Sequence, residues 1–155
     1  MTRGGQGRPV YPGTVDGQDV TAERLAGLIT ARIGAGAVSE ISEAGGLTVT
    51  ADVPAPRWLD ALAFARDELG CDVFDWLSAV DELSDGFAIV AHVYPRTGRY
   101  HLLIRTRVGG QAPHLPTAIP VYRAAAAHER ETAAMFGVRF DGHPDSATLL
   151  LPDGA

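Results

Sequence analysis

The sequence predicts an α+β fold, a single domain in which helices pack on an antiparallel-rich sheet. Three observations predict it. Residues 87 to 108 alternate apolar and polar side chains across a short turn, as a long hairpin does. Two amphipathic segments precede that hairpin and an Ala-rich one follows it, without the βαβ alternation that a doubly wound sheet requires. A length of 155 residues, 46% of them hydrophobic, suits one core and one domain.

Residues 1 to 18 are rich in Gly, contain Pro9 and Pro12 and offer little apolar surface to offset their ordering entropy, so they read as a flexible N-terminal arm. The domain is placed at residues 19 to 155. Thr21 suits an N-cap for a helix that carries Leu25, Leu28, Ile29 and Ile33 on one stripe and stops at Gly34 and Gly36. Val38 to Ser42 and Leu47 to Val53 flank Gly45-Gly46 and read as a hairpin. Pro54 and Pro56 end that strand and pre-set a helix over Arg57 to Leu69, stopped by Gly70. The segment Cys71 to Leu83 stays open: Phe74, Leu77 and Val80 suit a short helix, whereas its β-formers suit a strand.

Strands then follow over Phe87 to Tyr94 and Tyr100 to Val108. Residues 109 to 120 read as a loop, because Pro113, Pro116 and Pro120 each lack a ladder donor. A helix over Val121 to Phe136 ends at Gly137, and Val138 to Phe140 resembles a strand.

Composition excludes several functions. A net charge of -6 with no visible basic patch argues against nucleic acid as a partner. All 13 basic residues are Arg, which removes Schiff-base and P-loop lysine chemistry. The single Cys71 can form no internal disulfide and falls short of the several thiolates that zinc and iron–sulfur sites draw on, so it reads as a small buried hydrophobe. No apolar run is long enough for a bilayer-spanning helix, and the first residues lack a signal peptide's apolar stretch, which together predict a cytoplasmic location. No nucleotide loop or Gly-x-Ser-x-Gly elbow occurs.

Polar residues without a core explanation concentrate from His128 onwards. Glu129, Arg130 and Glu131 diverge by about 100° each on a helix, so they serve either as a docking face or as a solvated one, and not as a catalytic carboxylate pair. Gly142-His143-Pro144-Asp145 reads as a turn that presents an imidazole. His128, Glu131 and His143 match metal ligands by type but not by any established spacing, which leaves a stand-alone metal-dependent hydrolase as a separate alternative.

The chain from roughly Asp72 to Asp153 resembles the C-type subunit of NADH-quinone oxidoreductase (respiratory complex I), a family also found in membrane-bound hydrogenase-type complexes. The resemblance rests on Phe74-Asp75-Trp76-Leu77-Ser78-Ala79-Val80-Asp81, the hairpin, Glu129-Arg130-Glu131, Met135-Phe136-Gly137-Val138, Phe140 and Gly142-His143-Pro144-Asp145. The sequence departs from the family at Ala127, Ala133-Ala134 and Ser146-Ala147-Thr148. The resemblance implies a non-catalytic structural subunit of the enzyme's peripheral arm, on the cytoplasmic side of the membrane. Its implied partners are the quinone-site subunit and the cluster-bearing subunit, which with other chains would carry the iron–sulfur clusters, FMN and quinone, leaving no cofactor on this chain. The implied interface residues are Glu129, Arg130, Glu131, Phe136, Gly137, Phe140, Gly142, His143, Pro144 and Asp145. An equivalent subunit of a hydrogenase-type complex is the alternative within the family.

Overall fold

A computed structural model describes residues 11–15, 18–96, 98 and 100–145. The expected N-terminal arm lies mostly outside these residues, as do Ser146 to Thr148. Within the arm's span, β1 (Tyr11–Val15) pairs antiparallel with β2 (Gln18–Val20), a contact the sequence did not suggest.

The first helix, α1 (Ala22–Ile33), starts where the Thr21 hydroxyl accepts the Arg24 N–H at 3.1 Å, and it buries Leu25 and Ile29. It leads into the antiparallel pair β3 (Val38–Ser42) and β4 (Leu47–Asp52). A single 3-10 turn, Ala55–Arg57, sets the start of α2 (Trp58–Asp67).

The undecided segment resolves as a strand, β5 (Val73–Asp81). Its register slips between Phe74 and Trp76, so Asp75 is an extra, bulged residue. The bulge moves the next inward side chain from position 76 to Leu77, so Phe74 and Leu77 stand three apart as on a helix, whereas Val80, 54% exposed, points outward.

The long hairpin is β6 (Phe87–Tyr94) with β7 (Tyr100–Val108). Its entry depends on Gly86, whose φ is +91°; a Cβ there would collide with the Val108 carbonyl oxygen. The five strands order as β3-β4-β7-β6-β5, antiparallel except where β4 runs parallel to β7.

Within the expected loop a short strand, β8 (His114–Pro116), pairs in parallel with β9 (Arg139–Asp141). Pro116 is tolerated because the ladder to β9 runs through the Pro113 carbonyl and the Thr117 N–H, and it asks no donor of Pro116. The last helix, α3 (Ala125–Phe136), starts later than expected, after a set of turns that follows Pro120. Gly137 closes it in the left-handed conformation at φ +76°.

Helices α1 and α2 cover one face of the sheet, seating Ile29, Ala61 and Phe64 near Ala51, Leu102 and Ile104. On that same face α3 lies along β5, with His128 6.0 Å from the Phe74 ring, and its last residue, Phe136, lies 5.9 Å from Phe87 on β6. Fully buried Phe140 and Leu102 each contribute roughly 1.5–3 kcal/mol. Among the described residues no helix packs on the opposite face. That face carries polar and aromatic side chains, including Asp52, whose carboxyl Arg105 holds down to about 2.

Candidate functional site

The ten residues expected at an interface divide sharply by burial, and the division follows from helix geometry. On α3, Glu129 and Thr132 face inward while Arg130, Glu131, Ala134 and Met135 face outward. Glu129 is fully buried: one carboxylate oxygen accepts the Thr117 hydroxyl at 2.5 Å and the other accepts the Ala118 N–H at 2.7 Å. Burial pushes the Glu129 carboxyl above the ordinary glutamate range, and the two hydrogen bonds pull the other way. The side chain thus buckles α3 to the segment that leaves β8.

His143 is also buried. Its Nε2–H donates to the Ala126 carbonyl at 2.9 Å, and its Nδ1 accepts the Asp145 N–H at 3.0 Å. This pattern fixes the neutral tautomer and folds the turn after β9 back on α3. Phe140, 1% exposed, fills the core beneath that turn.

Glu129, Phe140 and His143 therefore serve the inside of this chain, and their expected placement on a contact surface is corrected by their burial and internal partners. The outward set is Arg130, Glu131, Gly137, Gly142 and Pro144, with Phe136 and Asp145 half-buried. Arg130 reaches Asp145 at 3.4 Å, both of them substantially exposed. The sequence reading missed Met135, which is 75% exposed, and Leu83, which is 84% exposed. Leu83 sits in the turn between β5 and β6, at the sheet end where Phe136 meets Phe87. Helix periodicity alone could have marked Met135 as outward, but nothing in the sequence pattern marks Leu83.

Among the described residues no group of three or more His, Cys, Asp or Glu could hold a metal ion, so the structure does not bring His128, Glu131 and His143 together as ligands. His128 instead lies 6.0 Å from the Phe74 ring, and both nitrogens of His143 are engaged. Cys71 is buried, its thiol pushed up to about 12 by desolvation. An open cleft of about 760 Å³ lies beside β8, but its charged groups are paired with one another or with neighbours: His114 and Arg139 both bind Asp141 at 2.7 Å, and Arg107 binds Glu82 at 3.1 Å.

Residues 51–155 match the family model described as the respiratory-chain NADH dehydrogenase, 30 Kd subunit. The chain belongs to this family. It is 35% identical over 142 residues to the NADH-quinone oxidoreductase C-type subunit 2 of Rhizobium meliloti (strain 1021), covering 87% of this chain and 76% of that relative. Two further relatives of the same C type, from Nocardioides sp. (strain ATCC BAA-499 / JS614) and Rhizobium etli (strain CIAT 652), are 38% and 32% identical over 47% and 76% of this chain. Both are longer, and the matches span 29% and 64% of their lengths.

Among solved structures, the fold resembles the trypsin-resistant fragment of Nqo5, with a TM-score of 0.64 at 23% identity over 79% of this chain and 97% of that one. It also resembles a chain of the membrane-bound sulfane sulfur reductase, an archaeal respiratory membrane complex, with a TM-score of 0.63 at 24% identity over 85% of this chain and 77% of that one. Membership makes this chain a subunit of the 30 Kd type, whose partners are other subunits of such a complex. Among the described residues no helix is long and apolar enough to cross a membrane.

Proposed function

We propose that this chain is a structural subunit of the peripheral arm of an NADH-quinone oxidoreductase, contributing no catalytic residue and no cofactor of its own. In this reading it lies beside the quinone-site subunit and the neighbouring cluster-bearing subunit, on the cytoplasmic side of the membrane. Iron–sulfur clusters, FMN and quinone belong to the other chains, and this one keeps them at electron-transfer spacing. A chain with one buried thiol is poorly equipped to hold a cluster, which agrees with that division of labour.

The observation that carries the proposal is the two-sidedness of α3. Its inner side is fully committed to its own chain through Glu129, while its outer side shows Arg130, Glu131 and Met135 to solvent and ends at Phe136, against Phe87 of the sheet. Exposed apolar anchors next to charges that fix orientation are what a protein-docking surface needs.

Affinity purification from native membranes tests the reading: the quinone-site and cluster-bearing subunits should co-purify, and their absence rejects it. Replacing Glu131 by Ala should reduce recovery of the assembled complex while shifting the isolated chain's stability by less than about 0.5 kcal/mol. Equal fractional losses in both measurements would assign Glu131 to the fold instead.

A further inference from the structure

The open face of the sheet holds a cluster that the docking surface does not use. The bulge at Asp75 turns its carboxylate onto the neighbouring strand, where Oδ2 lies 2.9 Å from His92 Nδ1. On the other side of the same ring, His92 Nε2 lies 2.9 Å from Nδ1 of His101 on β7. Aromatic rings wall the cluster: Trp76 lies 5.7 Å from His92, and Tyr94 lies 5.1 Å from His101.

The proton count follows from chemistry. An ionised carboxylate only accepts, so His92 Nδ1 carries a hydrogen, and in the neutral ring Nε2 must accept from His101 Nδ1–H. One proton taken from water leaves every hydrogen bond intact: His92 becomes an imidazolium that donates to Asp75 and to His101 Nδ1, while the His101 hydrogen moves to Nε2. A second proton has no such place. With both rings charged, two N–H groups face each other across the 2.9 Å contact, and the rings must part.

We propose that Asp75, His92 and His101 form a proton-binding relay that latches the bulged edge of β5 to the centre of the sheet and opens in acid. The charged groups that act on His101 are His92 and Asp75; from β4 its register partner is the uncharged Thr48. Further along the open face Asp52 and Arg105 are paired with each other at 2.6 Å, and beyond the start of β5 Asp72 and Arg96 pair at 3.7 Å. Burial and then His92 lower the His101 pKa, which agrees with the second proton entering there. A histidine that binds its proton less readily in the fold than in the unfolded chain withdraws stability as pH falls below the ordinary histidine range, so the latch fails on the acid side.

Nitrogen-resolved NMR of the histidines in the full chain, titrated from about pH 8.5 to about pH 4.5 across the ordinary histidine range, tests the relay. His92 Nδ1 should stay protonated throughout, and the pair should titrate in two separated steps with His101 second. Asp75→Asn, which removes the carboxylate that His92 Nδ1–H donates to, should move the first step to lower pH. Amide exchange at residues 74–76 should accelerate about tenfold across the second step, and His101→Gln, which still donates to His92 but takes no proton, should abolish that acceleration with the fold intact. Independent titration of two ordinary histidines, no response to Asp75→Asn, or acid opening that persists in His101→Gln would each overturn the proposal.

Discussion

Asp60 and Glu129 each join a helix to its surroundings, and they do it in opposite ways. At the corner between α1 and α2, Asp60 takes a two-pronged contact from Arg32 at 2.7 and 2.8 Å and a third from Arg57 at 2.8 Å. The Asp60 side chain remains 42% exposed, and its arginines hold its carboxyl well below the usual range. Beneath α3, Glu129 is shut off from solvent and accepts from one hydroxyl and one backbone N–H, and its carboxyl is pushed upward. Solvent can replace the first set of contacts. Nothing can replace the second, because a donor left buried without its acceptor costs its full desolvation.

The largest expected effect follows from that asymmetry. Glu129→Ala should cost about 3 kcal/mol, measured by denaturant unfolding, because it strands the Thr117 hydroxyl and the Ala118 N–H in the core. The pH response should separate the two regions. Glu129, with its folded pKa raised, contributes stability below its unfolded pKa that is lost as pH rises through the folded value. Asp60, with its folded pKa lowered, contributes stability above its unfolded pKa that is lost as pH falls. Relative to Glu129→Gln, the native protein should therefore gain stability on mild acidification, and relative to Asp60→Asn it should lose it. Like signs in both comparisons would break the contrast.

The same contrast marks what the sequence could tell. The Thr21 cap, the α1 stripe, the β6–β7 hairpin and the Gly137 stop were legible because each is set by neighbours within a few residues. β5 was not, since a bulge at Asp75 broke the period of two that identifies a strand. The parallel pairing of β4 with β7 and of β8 with β9 joins segments distant in sequence, and periodicity carries no trace of it. At the candidate site, the divergence of Glu129, Arg130 and Glu131 was legible from helix geometry, but which of the three turns inward depends on Thr117 and Ala118, supplied by a segment read only as loop.

A smaller effect belongs to the exposed corner. Asp60→Asn should cost less than about 1 kcal/mol, since water and salt already screen its arginines. Raising the salt concentration should shrink the difference further in thermal melts, whereas the penalty of Glu129→Ala should stay nearly constant. A salt-independent loss at Asp60 would show the corner to be more desolvated than its exposure indicates.

The smallest expected change is at Arg130, one residue from the buried buckle. Its guanidinium reaches Asp145 across 3.4 Å with both partners exposed, so Arg130→Ala should alter the isolated chain's stability by less than about 0.5 kcal/mol. The adjacent positions then differ by several-fold in folding energy although they lie about 100° apart on one turn of α3. Within the proposed docking role the ranking should reverse: Arg130→Ala should weaken capture of the sister subunits, because a charge that does little for its own fold is free to orient a partner. Paired unfolding and co-purification measurements on Arg130→Ala decide the matter; a variant that assembles normally would move the contact away from this side of α3, towards the apolar end marked by Met135 and Leu83.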